Sequence, residues 1–298
     1  MEKRIFGKTG LSISVLGFGG AEIGFTNIDT KTVEKLLMEA IESGLNVIDT
    51  AECYQSSEEL IGSVLGKRRQ DVYLFTKCGH GRSWNIDAWD ADSLEKSIDR
   101  SLKRLKTDYI DLIQLHSCAA DILKKGEAIE VLLKAKKAGK TRFIGYSGDS
   151  KDALYAIECG IFDTLQTSVN IADQEAIELT LPLAAEKNMG IIAKRPVANV
   201  AFKYKNRPEG EYCLPYWERL QKLKYDFING NIQRAASSAL RFTLTVPGIH
   251  TAIVGTTKPG RYIENSKILA EGLLSKSDFD SIRNQWKNIA QPQWVGEN

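Results

Sequence analysis

Cysteine is scarce and unpaired in this sequence. Five residues in 298, Cys53, Cys78, Cys118, Cys159 and Cys213, include no C-x-x-C spacing. An odd, scattered set argues against a disulfide scaffold and for a reducing compartment. Excess charge of one sign is equally scarce: 40 Lys and Arg against 38 Asp and Glu leave +2. That gives no broad basic field for gripping nucleic acid. No apolar run approaches the roughly 20 residues of a membrane span. The start, Met1-Glu2-Lys3-Arg4-Ile5, lacks the apolar stretch of a secretory leader. Linkers rich in Pro, Gly and Ser are missing too, so residues 1–298 read as one domain. The expectation is a cytoplasmic globular protein with neither nucleic acid nor membrane as partner.

What is present is a regular alternation. β-Branched apolar runs occur at Val15–Gly19, Leu45–Thr50, Val72–Lys77, Ile110–His116, Thr141–Ser147, Phe162–Val169, Met189–Arg195 and Thr251–Thr256. Each is followed by a helical stretch. Val33, Leu36, Leu37, Ala40 and Ile41 form a 3.6-period face opened by Asp29 or Thr30 and closed by Gly44. Asp92-Ser93-Leu94-Glu95 reads as a capping box, and Pro182 and Pro259 suit first helical turns. Eight strand–helix units predict an α/β fold, a (β/α)8 TIM barrel, with a doubly wound open sheet as the alternative. Arg4-Ile5-Phe6 and Leu11-Ser12-Ile13-Ser14 around Gly7-Lys8-Thr9-Gly10 predict an N-terminal β-hairpin. An extra helix is expected at the C-terminus.

In such a barrel the chemistry lies at the C-terminal ends of the strands. Those ends carry Asp49, Lys77, His116, Ser147, Gln166, Arg195 and Thr256, with Tyr54 just beyond the second strand. A carboxylate, an ammonium, a phenol and an imidazole at one mouth make an acid/base set. Tyr54, with an ordinary pKa of about 10, needs help to act as an acid. Lys77 is expected to lower that pKa, Asp49 to hold Lys77, and His116 to orient a carbonyl oxygen. None of the four is a nucleophile, so electrons must come from a cofactor. Gly255-Thr256-Thr257-Lys258-Pro259-Gly260-Arg261 offers small residues, hydroxyls, cations and a helix N-terminus for an anion. The connections 78–92 and 196–230 are long and aromatic, candidate lids, and Trp84 is expected to line the pocket.

Asp49-Thr50-Ala51 with Tyr54, Ser57 to Gly62, Thr76-Lys77, Leu115-His116, Gly139 to Gly145, Gln166 to Asn170 and Gly255 to Asn265 together resemble the aldo-keto reductase superfamily. The similarity runs along essentially the whole chain. It implies carbonyl reduction of a small-molecule substrate by NADPH, with NADH as the other possible cofactor, and Asp49, Tyr54, Lys77 and His116 as the tetrad. It further implies that Ser147 and Gln166 bond the nicotinamide carboxamide. Thr256, Thr257, Lys258, Arg261, Glu264 and Asn265 would serve the phosphate and adenosine end, and Gly20 would lie near the cofactor. Three departures stand out. Gly148 follows Ser147 where many members have Asn. Lys194-Arg195-Pro196 replaces an aromatic residue, so that Arg195 would stack on the nicotinamide or reach the pyrophosphate. Gly255 replaces a lysine.

Rival signals are weaker. Gly17-Phe18-Gly19-Gly20 lacks the third glycine of a dinucleotide fingerprint. Cys53, Cys78, Cys118 and His116 near strand ends raise a zinc dehydrogenase, but each cysteine is offset from its strand end and no metal is expected. His80 and His250 stand in no motif with other ligand-type residues and read as loop residues. A nucleotide-binding regulatory subunit on the same barrel is the alternative function. Nothing in the pattern sets an oligomeric state.

Overall fold

The computed structural model describes residues 1–80, 89–210 and 212–297. Strands β1 (Lys3–Ile5) and β2 (Ser12–Ser14) pair antiparallel as the expected hairpin. The next eight are β3 (Leu16–Gly19), β4 (Val47–Asp49), β5 (Tyr73–Cys78), β6 (Ile110–His116), β7 (Thr141–Ser147), β8 (Thr164–Ser168), β9 (Gly190–Lys194) and β10 (Thr251–Gly255). All neighbours are parallel, and β10 pairs with both β9 and β3, which closes the sheet. Closure excludes the open-sheet alternative. Among the described residues, no helix is long and apolar enough to cross a membrane.

The hairpin plugs the barrel floor. Phe6, Leu11 and Ile13 pack with Val47, Phe75, Leu112, Ile192 and Ile253 from the strands, and the rings of Phe6 and Phe75 stack 5.8 Å apart. Sealing this end with apolar side chains leaves the polar layer at the other. His250 belongs to the floor rather than to a free loop. Its Nδ1 accepts from the Ile191 N–H at 3.0 Å, and its ring meets Phe6 edge-on.

Helices cover the outside through single apolar faces. The helix Thr30–Glu42 buries Val33, Leu36, Leu37, Ala40 and Ile41, and the Thr32 N–H donates to Asp29 at its N-cap. Helix Ala91–Leu105 is capped by Asp90, which accepts from the Ser93 N–H at 3.0 Å, so the expected box at Asp92 is displaced by two residues. Pro259 falls in a turn rather than a first helical turn. Gly260 takes φ +86, which halts the chain before helix Arg261–Ala270 begins. Pro182 does sit in the first turn of helix Leu181–Glu186. Beyond the final helix, Lys276–Ile289, the chain returns to the barrel mouth: Glu297 O accepts from Arg195 Nη1 at 2.7 Å and from Ser168 Oγ at 3.3 Å.

Candidate active site

The tetrad assembles at one mouth because the ends of three neighbouring strands, β4, β5 and β6, deliver it. Asp49 closes β4, Lys77 lies one residue from the end of β5, His116 closes β6, and Tyr54 follows in the turn after β4. Lys77 Nζ donates to Asp49 Oδ1 at 2.5 Å and to the Thr50 carbonyl at 2.8 Å. Both side chains are nearly sealed, 1% and 4% exposed. Gln166 Nε2 also donates to Asp49 Oδ1, at 3.3 Å, and Gln114 Nε2 to Oδ2, at 3.4 Å. A buried ion pair needs such extra donors to offset desolvation. Gln114, on the inner face of β6, escaped sequence reasoning because a mid-strand glutamine carries no motif.

The half-buried Tyr54 ring lies under Lys77 Nζ, 5.2 Å from its centroid, and edge-on to His116 at 5.8 Å. One expectation fails here. Burial, then the Asp49 charge, pushes the Tyr54 phenol well above its ordinary range, with Arg195 opposing weakly. The lowering expected from the Lys77 ammonium does not prevail: the net shift is upward, and the Asp49 carboxylate that holds the ammonium at 2.5 Å is itself one of its causes. Burial, followed by the Lys77 charge, holds His116 well below the usual imidazole range, so it is neutral. His80 is not a bystander. It is buried, 5.5 Å edge-on to His116 and 5.4 Å edge-on to Trp89.

The three thiols near the strand ends meet different partners. Cys53 Sγ lies 3.4 Å from His116 Nδ1, Cys78 donates to the Gln114 carbonyl, and Cys118 to the Ala119 carbonyl. Cys53, considered from the sequence only as a zinc candidate, instead contacts His116.

Around this centre the expected cofactor residues divide. Ser147 Oγ and Asn265 Nδ2 are buried without a hydrogen-bond partner, and Gln166 pairs in register with Ser147. Buried polar atoms left unsatisfied are costly, so a bound polar group fits there. Gly20 stands beside Asp49 and Ser57, its N–H donating to the Asp49 carbonyl at 2.8 Å. Thr256 and Thr257 are half-buried at the last junction. Lys258 is exposed, with its N–H donating to Thr256 Oγ1. Arg261 Nη1 is held by Glu264 Oε2 at 2.6 Å on the rim. The helix start is less open to anions than expected, because the Gly260 N–H donates to Glu39 Oε2 at 2.6 Å.

Lys194 and Arg195 depart furthest from expectation. Lys194 Nζ pairs with buried Asp149 at 2.7 Å, and Asp149 accepts as well from Thr167 Oγ1 and the Ser168 N–H. Arg195 holds the C-terminal tail through Glu297 O and lies 5.7 Å from the Tyr212 ring centroid. One of its guanidinium nitrogens, Nη1, is thus engaged by the tail. Trp84 lies outside the described residues.

One departure from the family pattern has a steric reason, and another gains a carboxylate neighbour. A Cβ on Gly148 would stand 2.8 Å from the Tyr146 ring, whose hydroxyl donates to the Cys118 carbonyl. The Glu22 carboxyl, the movable end of its side chain, lies across Gly255 where a Cβ would stand. Glu22, pushed up by burial, is a further residue that sequence reasoning missed.

Comparison with known proteins agrees with this geometry. The model of the aldo/keto reductase family matches residues 15–287. L-galactose dehydrogenase of Arabidopsis thaliana is 28% identical, over 100% of this chain and 99% of its own. Aldo-keto reductase YhdN of Bacillus subtilis is 28% identical over 94% and 92%. The holo form of aldo-keto reductase AKR11C1 from Bacillus halodurans superposes with TM-score 0.84 at 27% identity, covering 99% of each chain.

Proposed function

Because this chain belongs to the aldo-keto reductase family, we propose that it reduces aldehyde or ketone carbonyls to alcohols with NADPH as hydride donor, Tyr54 acting as the acid. The observation that carries the reading is the convergence of the Asp49–Lys77 pair, Tyr54 and neutral His116 on one barrel mouth.

A bound nicotinamide cofactor would supply hydride to the carbonyl carbon. The chain's own residues handle the oxygen. A phenol with a raised pKa keeps its proton until negative charge builds on that oxygen, and an alkoxide is the stronger base. Lys77 stands over the ring face and Asp49 fixes it there, so a positive charge is in place when Tyr54 becomes phenolate. Neutral His116 orients the carbonyl without adding a second buried cation.

Ser147 and Gln166 are suited to a carboxamide, and Asn265 with Thr256 and Thr257 to the phosphate end. Gly20 lies close enough to Asp49 to line the same groove. Lys258 and Arg261 would favour the extra phosphate of NADPH, although Glu264 competes for Arg261. Lys194 and Arg195 support the groove wall through Asp149 and Glu297 instead of gripping the cofactor. The free cysteines support a reducing, cytoplasmic setting.

The test is nucleotide oxidation followed against a panel of aldehydes and ketones, with NADPH and NADH in parallel. Carbonyl-dependent oxidation, faster with NADPH, is expected. Tight nucleotide binding with no turnover on any carbonyl would favour the regulatory subunit.

A further inference from the structure

His116 has one demanding task in the proposed reaction: its ring must carry its single proton on the nitrogen that meets the substrate. A neutral imidazole has one N–H and one lone pair, and the contact made by one nitrogen sets the role of the other. His116 is buried and neutral, so the choice is between tautomers rather than charge states. Cys53 makes a contact with one of the two nitrogens, its Sγ 3.4 Å from Nδ1.

The contact is built in. Cys53 sits in a turn closed by the Tyr54 N–H to the Ala51 carbonyl at 3.1 Å and the Ser57 N–H to the Tyr54 carbonyl at 2.8 Å. Its side chain is fully buried and its thiol, pushed up to about 12 by burial, stays protonated. An imidazole nitrogen accepts far better than a thiol sulfur, so the favourable arrangement runs from S–H to nitrogen. We propose that Cys53 is a positioning residue whose S–H donates to His116 Nδ1, which puts the ring proton on Nε2 and makes His116 a hydrogen-bond donor to the substrate oxygen. The use of that donor rests on the carbonyl-reduction reading; the tautomer itself does not.

The test compares Cys53→Val with Cys53→Thr, near-isosteric variants that differ in having no donor and a hydroxyl donor. Long-range proton–nitrogen NMR of enzyme labelled at its three histidines reads the tautomer directly. Assignment comes from His80→Gln and His250→Gln. The expected result is the Nε2–H form in wild type and Cys53→Thr, and a mixture in Cys53→Val. With it, kcat should fall roughly 3- to 10-fold in Cys53→Val and recover in Cys53→Thr, the effect of one neutral hydrogen bond. KM for the nucleotide should not move. An Nδ1–H tautomer in wild type, or a Cys53→Val enzyme with wild-type tautomer and kcat, overturns the proposal. Failure of the reduction reading looks different: no protein of the series turns over a carbonyl, while the tautomer pattern persists.

Discussion

The Asp49 carboxylate receives the Lys77 ammonium at 2.5 Å in a setting almost closed to water. This pair decides the electrostatics of the mouth. Burial and the Asp49 charge keep the proton on the Tyr54 phenol in the resting protein, and the ammonium is already positioned for the phenolate that proton transfer creates.

Removing either partner should therefore have opposite effects on pH dependence. Asp49→Asn leaves the ammonium uncompensated and should bring the alkaline fall in kcat down to lower pH. Lys77→Met leaves the carboxylate uncompensated, so no alkaline limb should enter the accessible range, and reduction should be nearly abolished. Lys77→Met should also destabilise the fold by about 3–5 kcal/mol, the cost of stranding a buried charge. Rate profiles and denaturant unfolding check both. Equal alkaline limbs in wild type and Asp49→Asn would contradict the coupling.

A second prediction concerns stability at the tail. Buried Asp173, near the Asp149 charge, is pushed up to about 8, while Arg219, Tyr216 and the Glu297 N–H oppose the shift. A raised carboxyl binds its proton more tightly folded than unfolded. Its contribution is thus intact below about pH 4 and is lost as pH rises towards 8. Asp173→Asn should raise the Tm more at pH 8 than at pH 5. Thermal melts at the two values decide it, and equal changes would contradict the linkage.

Cofactor choice gives a third. On the proposed reading, Arg261 would meet a 2′-phosphate only in competition with Glu264, 2.6 Å away. Arg261→Ala should raise the Kd for NADPH by roughly 10-fold, the lower end of a charge-assisted contact, and change NADH binding little. Glu264→Gln should tighten NADPH alone. Fluorescence titration with both nucleotides is the check; parallel changes for the two would sink the assignment.

The barrel was legible because its signal is local and repeated. Strands β6 and β7 begin and end at the residues where their apolar runs do, Ile110–His116 and Thr141–Ser147. The strand ends then bring Asp49, Lys77 and His116 together with no further information. What escaped depends on contacts distant in sequence. Glu297 reaching Arg195 spans 102 positions, and nothing in Lys194-Arg195 signals a tail. Glu22 over Gly255 and Cys53 against His116 are likewise products of closure. The misplaced cap at Asp92 is a different failure: Asp90 and Asp92 are equivalent by composition, and only backbone direction separates them.

The central claim is that Tyr54 delivers the proton. The most direct test is Tyr54→Phe, followed in single turnovers with saturating NADPH and an aldehyde. Removal of the hydroxyl should lower the rate by on the order of 10²–10⁴ while the nucleotide Kd stays within a factor of about two. A Tyr54→Phe protein that reduces the aldehyde at the wild-type rate would contradict the account.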